Sequence, residues 1–522
     1  MFFLRFKPTA HDFKALTMMT RLFFIPVLLA CALTGCVLNG PVPIKQQADA
    51  ERSQKGCLDA FTAAEQAVLA AGVMDTEAVR IDGYPQLRVN RFLSSFRDEV
   101  DGDGYAFWLK QLQELANKGW RVEIRNLPEL SGQKLQRTVQ AVLSSQATTI
   151  EALQDCSDKL LQLQLKNNSS RDVLKKTATV ADNYQSWKRV VGIYPLTAWA
   201  FKTGIEQWHE KTRDTYRLPL HQLQALGRLI RYEPSPGTEL SNSLQIAEII
   251  KKSSGNPLKI PLPTAEDRQH LFNSFAPLFE IDVAGNDDRI GSPELQTEAA
   301  PRINTNRPAV FQHLSHTRLG DRILLQLNYT IWFPSRPKSS VFDLLGGHLD
   351  GITWRVTLLP NGKPWIFDTI HNCGCYHSFF PSQYAVAIRQ EAGFDESYFE
   401  PQQTLAINRI MKPVLRIAAT THYIERVYFD PSQADRVIQY QWDDADNLRS
   451  LVLSDGNYRS LFGQDGIVAS SERSERYLFW PMGILEPGAM RQWGHHATAF
   501  VGRRHFDDAR LFEKNYEINS DF

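Results

Sequence analysis

Asp368-Thr369-Ile370-His371-Asn372-Cys373-Gly374-Cys375-Tyr376-His377 places an imidazole or a thiol at every second position. Imidazole nitrogens and thiolates are the ligands that zinc prefers. On a straight strand these side chains share one face, with successive ones about 7 Å apart, too far for four to meet one tetrahedral ion. Gly374 offers a bend that gathers some of them. The segment therefore reads as supplying two or three ligands from His371, Cys373, Cys375 and His377. His348, His422 or the His495-His496 pair would complete the set. With one position open, metal-bound water becomes the nucleophile of a hydrolysis. Asp350 or Asp368 then serves as the catalytic base or as the group that orients a ligand.

The same residues permit other chemistry. A disulfide between Cys373 and Cys375 would close a small strained ring that is readily reduced. A thiolate on either cysteine, with His348, His371 or His377 as base and Asp350 or Asp368 as orienter, would make a nucleophile. The local motifs of cysteine peptidases do not accompany it. The plainest alternative is a structural or free thiol pair beside hydrogen-bonded histidines. Gly346-Gly347-His348-Leu349-Asp350-Gly351 suits a loop approaching a ligand, or simply a tight turn. Tyr329–Arg336 fits a groove wall or core, and the Arg/His-rich segments 491–496 and 503–508 fit an anion cleft or plain surface. Nine of the thirteen histidines lie at or after His313, so acid–base or metal work is expected in the C-terminal part. Two patterns mislead. Glu99-x-Asp101-x-Asp103-Gly104 begins like a calcium loop but has Lys110 where a bidentate Glu is needed. His313-x-x-His316 lacks the accompanying Glu of zinc peptidases.

The N-terminal stretch concerns location. Arg21 precedes the apolar run Leu22–Leu33, followed by Thr34-Gly35-Cys36. This is a positive segment, a hydrophobic segment of secretory length and a small-residue end. Residues 19–36 resemble the lipobox signal of bacterial lipoproteins. The resemblance implies cleavage after Gly35 and lipid on Cys36. With Val37 rather than Asp next, it implies the outer membrane, facing the periplasm. Several acyl chains anchor firmly where one binds only marginally. The first seventeen residues fit this signal poorly, so Met18 or Met19 is the better start. The membrane is thus one expected partner, and an envelope protein or the cell wall another.

The elements that must position these residues follow from pattern. Residues 1–35 read as signal and 36–55 as a polar lipidated tether. Residues 56–230 read as a helical domain, 231–304 as a proline-containing connector and 305–522 as a β-rich domain. The fold class is α+β. Ala60, Phe61, Ala64, Val68 and Leu69 recur at helical spacing, as do Phe107, Trp108, Leu112 and Leu115 within 105–118. Residues 134–165 read as helical with a break near Thr148. Residues 323–332, 352–358 and 364–370 read as strands, the last two joined at Asn361-Gly362. Residues 416–421, 423–429, 450–453 and 475–480 read as extended. Cys57 and Cys156 then lie on separate helices that a disulfide would pin together. Lys+Arg and Asp+Glu are equal at 58 each, which gives no bulk electrostatic footprint for nucleic acid. The expected function is a lipid-anchored envelope protein with a zinc site and hydrolytic activity on an envelope component. The alternative is a non-catalytic structural or interaction module.

Overall fold

Alternation of apolar residues through Ile323–Phe333 makes one long strand, and the rest of the β-structure builds outward from it. The computed structural model describes residues 44–235, 242–296, 299–388, 393–407, 412–429 and 434–520. The lipobox and Cys36 lie outside the described residues. Ten strands join in one sheet: β1 (Arg228–Pro234), β2 (Leu278–Val283), β3 (Ala309–Leu319), β4 (Arg322–Arg336), β5 (Gly347–Leu358), β6 (Pro364–His371), β7 (Ser378–Pro381), β8 (Val414–Ile417), β9 (Ile424–Tyr428) and β10 (Arg436–Asp444). Their order across the sheet is β7-β6-β5-β4-β3-β10-β1-β2-β8-β9. β3 to β7 form an antiparallel meander. β10 links the two halves, pairing parallel with β1 through Arg436–Tyr440 and with β3 through Gln441–Asp444. Segment 231–304, read as a connector because of its prolines, thus contributes most of β1 and all of β2 to the sheet. The β5–β6 turn is the expected Asn361-Gly362 hairpin, with Gly362 at φ 77°. One face of the sheet buries Tyr329, Ile331, Phe333, Ile352 and Trp354 with Phe272 and Phe275.

Helices dominate the N-terminal part: α1 (Ile44–Ala71), α2 (Gly102–Arg125), α3 (Glu129–Leu143), α4 (Thr149–Lys166), α5 (Ser186–Val191) and α6 (Tyr194–Arg217). The fold is therefore α+β. α1 is helical from Ile44, inside the span read as tether. α2 buries Tyr105, Trp108, Leu109, Leu112, Ala116 and Trp120 on one stripe. The break near Thr148 is a capping box: the Thr148 hydroxyl accepts from the Glu151 amide, and the Glu151 carboxylate accepts from the Thr148 amide. Cys57 and Cys156 are joined by a disulfide between α1 and α4, inside a core with Phe61, Trp120 and Leu153.

The chain beyond β10 is mostly irregular. Segment 475–480 is an exception to its extended reading: Arg476–Phe479 is a helical turn, followed by a 3-10 turn. This C-terminal chain returns to the helices through buried charge. Arg449 donates to both oxygens of Asp75, and its carbonyl accepts from Asn126 Nδ2, at the end of α2, at 2.8 Å. Among the described residues no helix is long and apolar enough to cross a membrane.

Candidate functional site

Side chains alternate across a sheet, so register decides which groups on β5 and β6 can meet. His371 stands opposite Ile352 and Asp368 opposite Arg355. Asp350, Ile352 and His371 therefore share one face, while Arg355 and Asp368 share the other. The structure separates the two expected catalytic carboxylates onto opposite sides of the sheet.

On the first face a line of four groups runs inward. His371 Nδ1 lies 3.4 Å from Asp350 Oδ1. Asp350 Oδ2 lies 2.8 Å from His422 Nδ1, and His422 Nε2 is 3.5 Å from Asp288 Oδ1. The His422 ring stacks on Phe333 at 3.9 Å. Asp288 accepts backbone N–H bonds from Ala284, Gly285 and Thr420. All four groups are buried, with His371 the least so: its side chain keeps 7% exposure against 2% or less for the others.

Rings and charges surround His371. Tyr376 and Tyr423 stand 4.9 and 5.7 Å from it, centroid to centroid. Arg336 Nη2 donates to the Tyr423 hydroxyl at 3.1 Å, and its guanidinium faces that ring. Trp208 of α6 closes over Tyr376 and Tyr423 at 5.1 and 5.9 Å. Four non-glycine residues here hold the left-handed backbone: Leu349, Tyr376, Thr420 and His422, with φ from 55° to 61°. Each costs about 1–2 kcal/mol, and such strain gathers at functional sites.

The electrostatics assign protonation states. Burial disfavours the Asp350 carboxylate, but the flanking imidazoles outweigh it and hold its pKa well below the usual range. Burial lowers the His371 pKa against the pull of Asp350, leaving a neutral imidazole at pH 7. For His422 burial is outweighed by the Asp288 carboxylate nearby and the hydrogen-bonded Asp350, and its pKa is raised. Glu475 belongs to the same surroundings. Burial pushes its carboxyl up to about 7, opposed by Arg473, Arg336 and Arg491.

On the second face Asp368 is saturated. Arg355 grips it through Nε, at 2.8 Å from Oδ1, and through Nη2 at the other oxygen. His377 Nε2 lies 2.9 Å from Oδ2. Arg355 Nη1 donates to the Phe506 carbonyl, and its guanidinium lies 3.6 Å from the Phe506 ring centroid. Burial lowers the His377 pKa to about 4 despite Asp368.

The expected zinc ligands go to separate partners. β6 ends at His371, and the chain turns: the Gly374 amide donates to the His371 carbonyl, with Gly374 at φ 92°. A side chain at Gly374 would also strike the Ala497 carbonyl. His377 emerges onto the Asp368 face. His348 Nε2 lies 2.6 Å from the Pro301 carbonyl. Cys373 and Cys375 are free thiols, so the small disulfide is not formed. The adjacent Cys373 and burial push the Cys375 thiol well above its usual pKa, which opposes a thiolate nucleophile. Among the described residues no three His, Cys, Asp or Glu side chains converge as a metal site.

The other candidates are also engaged. Gly351 lets Asn372 pack closely, since a Cβ there would lie 2.1 Å from Asn372 Nδ2. Arg504 pairs with Glu396 and Arg503 with Asp182, while Arg491 bonds the Cys373, Leu485 and Glu486 carbonyls. The sequence reading missed Asp288, Tyr423, Glu475 and Trp208. Each arrives from a distant segment, and no local pattern marks it. No protein-family model matches the chain, and no curated protein or solved structure matches it either.

Proposed function

We propose that the chain is an envelope hydrolase working by acid–base catalysis at His371. The observation that carries the reading is the line His371–Asp350–His422–Asp288, held by left-handed residues at its corners. Asp350, 3.4 Å from His371 Nδ1, favours the proton on that nitrogen, which leaves Nε2 as the base. His371 Nε2 takes a proton from water while the water oxygen bonds to an acyl carbon of the substrate. Arg336 is the fixed cation for the oxyanion. As the bond to the leaving group breaks, protonated Glu475 supplies its proton, since a carboxyl near pKa 7 is matched to that task, and the proton held on His371 then passes through water to Glu475, which resets both groups. The substrate is an acyl ester or amide of the envelope, and lipid on Cys36 anchors the enzyme at the periplasmic face of the outer membrane. A second reading, a non-catalytic envelope module, is favoured by one observation: Trp208, Tyr376 and Tyr423 cover His371.

Hydrolysis of model acyl esters and of cell-wall peptides by wild type and Asp350→Asn tests the proposal. The variant is expected to lose about 10²–10⁴-fold in rate. The sign of the pH dependence follows from the two groups. Rate falls on the acid side as His371 gains a proton, and on the alkaline side above about 7 as Glu475 loses its own. Hydrolysis retained in Asp350→Asn overturns the mechanism, and no hydrolysis of either class leaves the module reading. Loss of palmitate-analogue labelling in Cys36→Ser tests the anchor separately.

A further inference from the structure

α6 has more apolar surface than its packing uses. Tyr194, Ala198, Phe201 and Ile205 form the stripe that seats on Met482 and Val501. Leu196 and Trp199 project from the opposite side. Across the corner, Trp187, Val190 and Val191 recur at i, i+3, i+4 on α5, and Ile193 sits between the helices. These six residues are between 59% and 78% exposed. Scattered apolar residues on a surface need no explanation, but six within one helical corner do.

Two further observations say what covers this face. Residues 183–205 carry Lys188, Arg189 and Lys202 and not one Asp or Glu. Arg189 lies over Tyr184 and Tyr194 and donates to the Met482 and Gly502 carbonyls, and Lys202 donates to the Gly393 and Phe394 carbonyls, so both charges are held on the packed side of the corner while Lys188 lies against Trp187. Apolar residues and tryptophan in a segment with three cations, its nearest acids being Asp182 (paired with Arg503) and Glu206 just outside it, match the boundary between headgroups and acyl chains of an anionic bilayer. Ile193, moreover, adopts φ 49°. A β-branched residue is the worst choice for that conformation, and a turn alone would favour Gly or Asn. A large apolar side chain nevertheless stands exposed at the apex.

We propose that the α5–α6 corner is a membrane-docking surface for anionic phospholipid, with Trp187, Val190, Val191, Ile193, Leu196 and Trp199 entering the interface. The surface acts independently of any lipid on Cys36. Because α6 also carries Trp208 onto the His371 cluster, docking places the cover of that cluster next to the bilayer.

Tryptophan quenching by brominated lipid tests this in the full chain. All eleven tryptophans lie at or after Trp108, so an N-terminal anchor contributes no signal of its own. Vesicles of brominated phosphatidylcholine with phosphatidylglycerol are expected to quench the wild type. Trp187→Phe/Trp199→Phe is expected to lose more than about half of that quenching, those indoles being the interfacial ones. Val190→Asp/Leu196→Asp is expected to lose it while keeping the wild-type Tm. In the Cys36→Ser chain, omitting phosphatidylglycerol is expected to weaken binding about tenfold or more. Unquenched wild type, or equal quenching in the double Trp variant, overturns the proposal. A dimer dissociated by Val190→Asp, with no quenching, overturns it in favour of a second copy on this face.

Discussion

Asp350 and Asp368 sit on neighbouring strands, each buried and each against a histidine, yet they make opposite environments. Asp368 meets a bidentate Arg355 and a neutral His377, and every strong valence is used. Asp350 meets two imidazoles and no arginine, and its line continues through His422 to Asp288. Arg355, Asp368 and His377 have ordinary backbone, whereas His422 and Leu349 are left-handed. An Asp–His pair is therefore not a signature by itself. A fixed counter-cation makes it a structural rivet, while strain and a loosely held outer imidazole distinguish the pair we propose to be catalytic.

The sharpest way to break this contrast is at the rivet. Asp368→Ala leaves the Arg355 charge buried without a partner, and about 3–5 kcal/mol of stability should be lost in urea unfolding. Wild-type stability would show that the Asp368 face is not structural.

Acid comes next. Burial depresses the pKa of His377 to about 4, and those of His316 to about 4 and His313 and His496 to about 3. Below about 6.5 the unfolded chain binds protons that the folded chain refuses. The stability these groups give is complete above that pH and is lost as pH falls toward their folded values. His377 alone accounts for roughly 3 kcal/mol of the acid loss, at about 1.4 per pKa unit. His422 has the opposite sign. Its raised pKa gives stability that is full below about 6.5 and lost as pH rises through the folded value. Stability measured from pH 7 to 4 should fall in wild type and fall less in His377→Gln.

Smaller effects sharpen the other side. Cys373→Ser/Cys375→Ser removes two candidate zinc ligands but neither His371 nor Asp350. The rate should stay within about threefold of wild type, with stability within ~1 kcal/mol. Loss of both rate and bound zinc would instead support the metal reading. Thr420→Gly relieves one left-handed residue and keeps the amide bond to Asp288, for a gain of about 0.5 kcal/mol. A loss in thermal unfolding would mean that the corner is not strained.

Much of the scaffold is legible in the sequence, because local signals specify it. The alternation in β4 and β5, the Asn361-Gly362 turn and the Thr148–Glu151 cap are all short-range. The two strands within 228–283, which pair with each other, are obscured by prolines and by outer partners, β10 and β8, more than a hundred residues away. The candidate site is legible only in part. A period of two puts His371, Cys373, Cys375 and His377 on one face. β6 stops at His371, however, and the positive φ of Gly374 turns the chain, so His377 lands behind the sheet. His422, Asp288 and Glu475 reach the cluster through tertiary folding, which no spacing rule records.

The central claim is that His371 does chemistry and His377 holds structure. His371→Gln and His377→Gln, assayed for kcat/KM and Tm from the same preparations, test it most directly. A crossed result is expected. His371→Gln should lose about 10²–10⁴ in kcat/KM at nearly unchanged Tm, and His377→Gln should lower Tm while its folded fraction keeps the wild-type rate. Equal rates in both variants, or a rate loss confined to His377→Gln, would contradict it.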